Sequence, residues 1–230
     1  MKIHRFIVPG VLLPPSGGLT IAGEVAHQMK NVLKLRIGER AVICDGLGNE
    51  AEGIIHEYVP DAVVLRVEEL RRVPEEARRI VLCASIIKNE NFDWLCEKVV
   101  EVGVSEIIPI ISERTVKTNV RPDRLERIMR EAAETSARGT VPVLREPKEF
   151  RFAMSAAEGM RVFYDIGGSL EKPQVAKGET LTLFVGPEGG WADKERQFAA
   201  KYGCLIRGLT ARPLRAETAA ILAVYDALHF

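Results

Sequence analysis

Two stretches combine charged side chains with a backbone able to wrap around a ligand. Residues 183–195, LFVGPEGGWADKE, lead an apolar run into Gly186-Pro187-Glu188-Gly189-Gly190 and then into a helix start. Glycines let the main chain approach a ligand closely, and proline stiffens the bend. Glu188, set among main-chain amides, suits hydroxyl, amino or cationic groups such as those of a nucleoside and would repel phosphate. Neither GxxxxGK[ST] nor GxGxxG is present. A plain strand-to-helix turn explains this cluster equally well when it is taken alone. The second stretch, residues 208–219 (GLTARPLRAETA), sets Arg212 and Arg215 around Pro213-Leu214, immediately before a helix opened by Glu217. Two arginines beside a carboxylate offer a cation for a developing anion and an oxygen for a proton. The plain alternative is a pair of solvated arginines and a glutamate favoured by the helix dipole.

The elements that must hold these stretches fall into two rhythms. Up to about Val73 the pattern is short strands (IHRFIV, RAVICDG, AEGIIHEYV, DAVVLRVEEL) with one helix, GEVAHQMKNVLKL, which predicts a small β-rich barrel or curled sheet. The charged, proline-bearing run Arg71–Arg79 reads as a linker. After it, strands and helices alternate. RIVLCASII, EIIPII, MRVFYDIGG and ETLTLFV read as strands. NFDWLCEKVVEVG, PDRLERIMREAAETSARG, ADKERQFAAKYG and LRAETAAILAVYDAL read as helices. This predicts an α/β domain with a largely parallel sheet, where ligands bind beyond the carboxyl ends of the strands. The glycine stretch stands at such an end. Trp94 and Trp191 are expected in a core or an interface.

Composition narrows the partners. Lys and Arg together number 32, as do Asp and Glu, so no overall field announces a nucleic acid and any basic patch must be local. The start MKIHRFIVPG has no signal-peptide run, and no stretch approaches a membrane span. Cys44, Cys83, Cys96 and Cys204 form no CxxC, and the four histidines show no metal-ligand spacing. These features predict a cytoplasmic protein with reduced thiols, no metal and no membrane partner.

In combination and in order, the motifs resemble the bacterial 16S rRNA (uracil-N3)-methyltransferase family of the SPOUT class. The resemblance runs through His4-Arg5-Phe6, Val32-Leu33-Lys34 with Gly38-Glu39, Lys88, and Glu101-Val102-Gly103-Val104. It continues through Glu113-Arg114-Thr115-Val116, Glu131-Ala132 with Thr135-Ser136-Ala137-Arg138, the GPEGG stretch, and residues 209–219. This chain departs from the family pattern at Lys34, Thr135, Thr210 and Pro213. Thr210 and Pro213 fall in the expected adenosine pocket. Lys34, where the family has arginine, keeps the charge but loses the bidentate fork.

The resemblance implies a PUA-like RNA-binding β-barrel over residues 1–73. It also implies a trefoil-knotted, S-adenosylmethionine-dependent methyltransferase domain over residues 74–230, a homodimer, and 16S rRNA of the small ribosomal subunit as substrate. Cofactor contacts are expected from Phe184, Gly186, Pro187, Glu188, Gly189, Gly190, Leu209, Arg212 and Leu214. Arg215, Glu188 and Glu217 are the catalytic candidates. RNA contacts are expected from Arg5, Lys34, Arg36, Lys88, Arg114 and Arg138. The competing readings are methylation of another RNA position, a non-catalytic RNA-binding adaptor, and an unrelated nucleotide-binding enzyme.

Overall fold

The computed structural model describes residues 3–74 and 78–230. The chain divides into two compact units, one formed by residues 1–75 with 133–141 and the other by residues 76–132 with 142–230. Residues 75–77 of the expected linker lie outside the described residues, and its start, Arg71 and Arg72, is strand.

In the first unit, β1 (His4–Ile7), β2 (Gly17–Ala22), α1 (Glu24–His27), β3 (Arg40–Cys44), β4 (Asn49–Val59) and β5 (Ala62–Arg72) follow in order. They form one five-stranded sheet ordered β1-β3-β4-β5-β2, in which β1 and β3 run parallel and the other pairs antiparallel. Leu19, Ile21, Ile43, Ile55, Val63 and Leu65 point into one apolar core with Phe6 and Met29. β2 has no counterpart among the expected strands. Only Leu19 and Ile21 alternate inward along it, and its glycine start reads as a turn. The expected helix at residues 23–35 begins as α1 and widens into π turns over Gln28–Val32, where Leu33 donates to the oxygen of Gln28 at 2.9 Å.

The second unit runs β6 (Ile80–Ser85), α2 (Asn89–Val102), β7 (Glu106–Ile111), α3 (Pro122–Thr135), β8 (Val143–Leu144), β9 (Lys148–Glu149) and α4 (Phe150–Ser155). It continues through β10 (Met160–Ser169), β11 (Leu181–Val185), α5 (Asp193–Lys201), β12 (Leu205–Arg207) and α6 (Ala216–Leu228). α3 ends at Thr135, earlier than the expected Gly139, and its last residues belong to the first unit. All strand pairs of this unit are parallel, in the order β12-β10-β11-β6-β7-β8, with β9 also on β7. Every residue of β6 and β11 is buried, as expected of central strands covered on both faces. α6 packs on β6, β11 and α2 through Ala216, Ala220, Ala223, Val224 and Ala227, whose small side chains allow close approach. From β6 the chain builds outward to β7 on one side and later to β11 and β10 on the other. The crevice between the loops after β6 and β11 is therefore the topological switch point, where parallel sheets bind ligands.

Candidate functional site

The loops after β11 and β12, with residues of β10 and the start of α6, enclose a cavity of about 300 Å³. It is lined by Gly186, Pro187, Glu188, Gly189 and Gly190 from one loop and by Leu209, Thr210, Arg212, Pro213 and Leu214 from another. Phe184 does not join them. Its side chain is wholly buried with Phe150 and Trp191, because it sits on a central strand whose residues all face packed layers. The assignment of Phe184 as a cofactor contact is therefore corrected to a core residue.

Local packing shows what each part of the glycine loop is for. A Cβ on Gly186 would lie 3.0 Å from the Trp191 ring, so this glycine makes room for the indole while it also lines the cavity. Trp191 is buried and donates its ring N–H to the oxygen of Tyr164 at 2.9 Å, which fixes the loop against β10. Gly190 has φ +68 and donates to the oxygen of Pro187 at 2.8 Å, closing a tight turn that L residues disfavour. Glu195, in the first turn of α5, is buried. Its Oε2 accepts from Ala192 N–H at 2.8 Å, and its Oε1 accepts from Glu113 N–H at 3.0 Å. One carboxylate thus ties the β11 loop to the β7 loop. Arg114 adds a second tie, donating to the oxygen of Gly189 at 2.7 Å.

The far wall of the cavity is held from beneath. Arg207 is buried and grips the Asp226 carboxylate at 2.7 and 2.9 Å and the oxygen of Glu171 at 2.5 Å. Its hydrogen bond to Asp226 keeps the guanidinium firmly charged, while burial and Asp226 push the Tyr164 hydroxyl well above the usual tyrosine range. Gly168 and Gly208 meet where the ends of β10 and β12 touch. A Cβ on Gly168 would lie 2.4 Å from Arg207 carbon, and one on Gly208 would lie 2.7 Å from Gly168 oxygen. Thr210 has a local task, since its hydroxyl donates to the oxygen of Arg212 at 2.6 Å and accepts from the N–H of Arg212 at 3.3 Å. At the rim, Arg196 pairs with Asp165 at 2.6 Å, a hydrogen bond that raises the affinity of Arg196 for its proton. Tyr164, Asp165, Arg196 and Arg207 are lining residues that sequence reasoning missed. Their only signal was the Gly167-Gly168 pair ending a predicted strand.

A second cavity, of about 720 Å³, adjoins the first at the switch point, and Glu188, Gly189, Pro213 and Leu214 line both. It collects Lys88, Arg114, Arg215 and Glu217 from the expected residues and Lys117 in addition. The catalytic candidates Arg215, Glu188 and Glu217 therefore share this chamber. Arg215 is 84% exposed and its Nη1 stands 4.0 Å from Glu217 Oε1. The expected RNA residues Arg5, Lys34, Arg36 and Arg138 belong to the first unit. Lys34 and Arg36 are exposed, and Lys34 holds a left-handed φ of 53°. Arg138 is half-buried and its N–H meets the oxygen of Ala133 at 2.9 Å. Arg5 is corrected. It is paired with Glu50, itself only 1% exposed and also bound by Arg71 at 2.5 Å. Its guanidinium is therefore held largely inside the unit, with 14% of the side chain exposed. Trp94 is 44% exposed on α2, whereas Trp191 is core.

Residues 74–226 match the family model described as an RNA methyltransferase domain. The chain belongs to this family. It is 27% identical over 223 residues to the ribosomal RNA small subunit methyltransferase E of Bacillus subtilis, covering 89% of this chain and 87% of that protein. It is 30% identical over 165 residues to the Mesomycoplasma hyopneumoniae protein of the same name, covering 67% of this chain and 71% of the other. Among solved structures, that of Neisseria gonorrhoeae ribosomal RNA small subunit methyltransferase E bound to S-adenosyl methionine superposes with a TM-score of 0.89 at 27% identity, covering 97% of this chain and 95% of that one. A Legionella pneumophila putative methyltransferase in complex with the same cofactor gives 0.88 at 26% identity, covering 100% and 98%. In this RNA methyltransferase family member, both cavities lie within the matched residues. Among the described residues there is no group of three or more metal-ligating side chains and no helix long and apolar enough to cross a membrane.

Proposed function

We propose that the chain is an S-adenosylmethionine-dependent methyltransferase that modifies N3 of a specific uridine in 16S rRNA of the small ribosomal subunit. The observation that carries this reading is the first cavity, built from the two family loops and sharing a wall with a cation-rich neighbour. The cofactor is S-adenosylmethionine. The cavity fits a nucleoside. Glycines and the small Ala216 and Ala219 leave main chain exposed to a flat ring, Leu209 and Leu214 supply apolar flanks, and Asp165 offers an acceptor at the rim. Thr210 and Pro213 fit this wall, because the threonine closes a turn on Arg212 within the loop.

When bound, the cofactor supplies an electrophilic methyl group on a sulfonium. The chain's task is then placement and charge. Uracil N3 must lose an imide proton while charge spreads onto its flanking carbonyl oxygens, so a nearby cation and a nearby carboxylate both speed the reaction. Arg215 is the cation, with Glu188 and Glu217 the carboxylates within the same chamber.

Residues 1–73 act as a PUA-like RNA-docking domain, and Lys34 and Arg36 supply phosphate contacts there. Residues 74–230 form the catalytic domain, with a trefoil knot. The active form is a homodimer, a reading supported by the outward face of α6, where Tyr225 is 55% exposed and Ile221, Leu222 and Leu228 are half-buried. The setting is the cytoplasm. Transfer of tritiated methyl groups to purified small subunits, followed by nuclease mapping of the labelled nucleotide, tests the activity. Label on ribose, or efficient labelling of a short naked oligomer, would overturn it.

A further inference from the structure

Glu217 is out of keeping with a surface helix start. Its side chain is 8% exposed, and Oε2 is buried with no hydrogen-bond partner. Among the described residues its one ion pair, to Arg215, is long at 4.0 Å. A buried carboxylate oxygen without a partner costs free energy and calls for a reason. That carboxylate lies in the wall of the second cavity, where four cations (Lys88, Arg114, Lys117 and Arg215) face two carboxylates (Glu188 and Glu217). The net excess of positive charge suits a ligand joined to phosphodiesters. The apolar side chains of Ile86, Val116 and Leu214 in the same wall suit the faces of a flat ring. The chamber occupies the switch point between the loops after β6 and β11 and shares a wall with the cofactor cavity. It is also the roomier of the two.

We propose, resting on the methyltransferase reading above, that this second cavity receives the target uracil turned out of the RNA, and that Glu217 is the group that takes its N3 proton. Glu188 is the weaker candidate, because it is exposed at the partition and carries no such unsatisfied buried oxygen. In the step, the N3–H bond breaks and its proton passes to the Glu217 carboxylate. The pair on nitrogen forms the N–CH3 bond, and the pair of the broken carbon–sulfur bond stays on sulfur. A cationic sulfonium, a neutral base and an anionic carboxylate thus become a thioether, a methylated base and a neutral acid. Arg215 and Lys88 stabilise the negative charge that gathers on the two carbonyl oxygens during transfer. The proton returns from Glu217 to solvent once the product leaves.

The test compares wild type, Glu217→Gln and Glu217→Asp on small subunits carrying either uridine or 5-fluorouridine, whose N3 proton is more acidic. Wild type should label uracil N3. The Gln variant should bind S-adenosylmethionine with unchanged affinity by calorimetry and lose kcat by roughly 10²-fold, the usual scale of a positioned base. The Asp variant should fall between the two. Fluorination should narrow the gap between Gln and wild type, since an acidic imide needs less help. Equal turnover of Gln and wild type, an Asp variant slower than Gln, or a gap indifferent to fluorine would each overturn the role of Glu217. If wild type instead labels a different atom, the uracil-N3 reading itself fails and this assignment falls with it.

Discussion

The main-chain N–H of Glu113 meets Glu195 Oε1 at 3.0 Å while the other oxygen of that carboxylate caps α5 at Ala192. The loops after β7 and β11 are therefore positioned by one buried group. Glu195→Ala should leave a buried N–H unsatisfied and cost about 1–3 kcal/mol in urea unfolding. It should also weaken cofactor binding in calorimetry, because the glycine loop loses its anchor. Glu195→Gln keeps one acceptor and should recover part of both losses.

Gly186→Ala probes packing. Its Cβ would come within 3.0 Å of the Trp191 ring, which is stacked against Phe163 and cannot retreat. The variant should lose about 1–3 kcal/mol through overpacking. A change in Trp191 fluorescence should accompany that loss even without cofactor. Gly189→Val, by contrast, should abolish cofactor binding with little loss of stability, and Lys201→Ala should change neither.

For Arg5→Ala, a stability defect is expected in place of an RNA-binding one. Removing it leaves Glu50 buried with Arg71 and the Cys44 thiol as partners, and broken buried pairs cost on the order of 3 kcal/mol. Thermal unfolding should shift down, while the salt dependence of RNA binding stays as in wild type. Lys34→Ala and Arg36→Ala should do the opposite, each flattening the plot of log K against log salt by about one unit.

The Cys204 thiol sets an alkaline limit. Burial pushes it from 9.0 up to about 11. The folded chain holds this proton more tightly than the unfolded chain does. Its contribution to stability is therefore complete below pH 9.0 and is lost as pH climbs through about 11. Alkylation of native protein by iodoacetamide, followed by mass spectrometry, should leave Cys204 unmodified at neutral pH and label it as the medium approaches the upper value.

What could be read from the sequence depended on how local each cause was. β6 and β11 were legible because strands buried on both faces spell continuous apolar runs. The two cavity-forming loops were legible because glycine, proline and arginine cluster within a few positions. The reason for Gly186 was not, since it rests on how an indole five residues onward folds back. Arg5 read as a surface cation because its partner, Glu50, comes from a different strand and only β1–β3–β4 pairing brings them together. Phe184 was counted with the loop it precedes, although alternation in a doubly covered strand leaves no solvent-facing side. The second cavity had no sequence signature of its own, because Lys88, Lys117 and Glu217 belong to three separate loops and helix starts.

Glu188, Gly189, Pro213 and Leu214 line both cavities and so stand between the two chambers. A compound that links an adenosine thioether to a pyrimidine by a short tether could lie across these residues with both ends seated. Once one end is bound, the other is held nearby at high effective concentration, which can tighten binding on the order of 10²–10⁴-fold over either half alone. The end of such a molecule seated in the first cavity would meet Thr210 and Pro213, two positions where this chain departs from the family pattern. Selectivity against relatives would therefore be tuned at that end, and potency by the length of the tether.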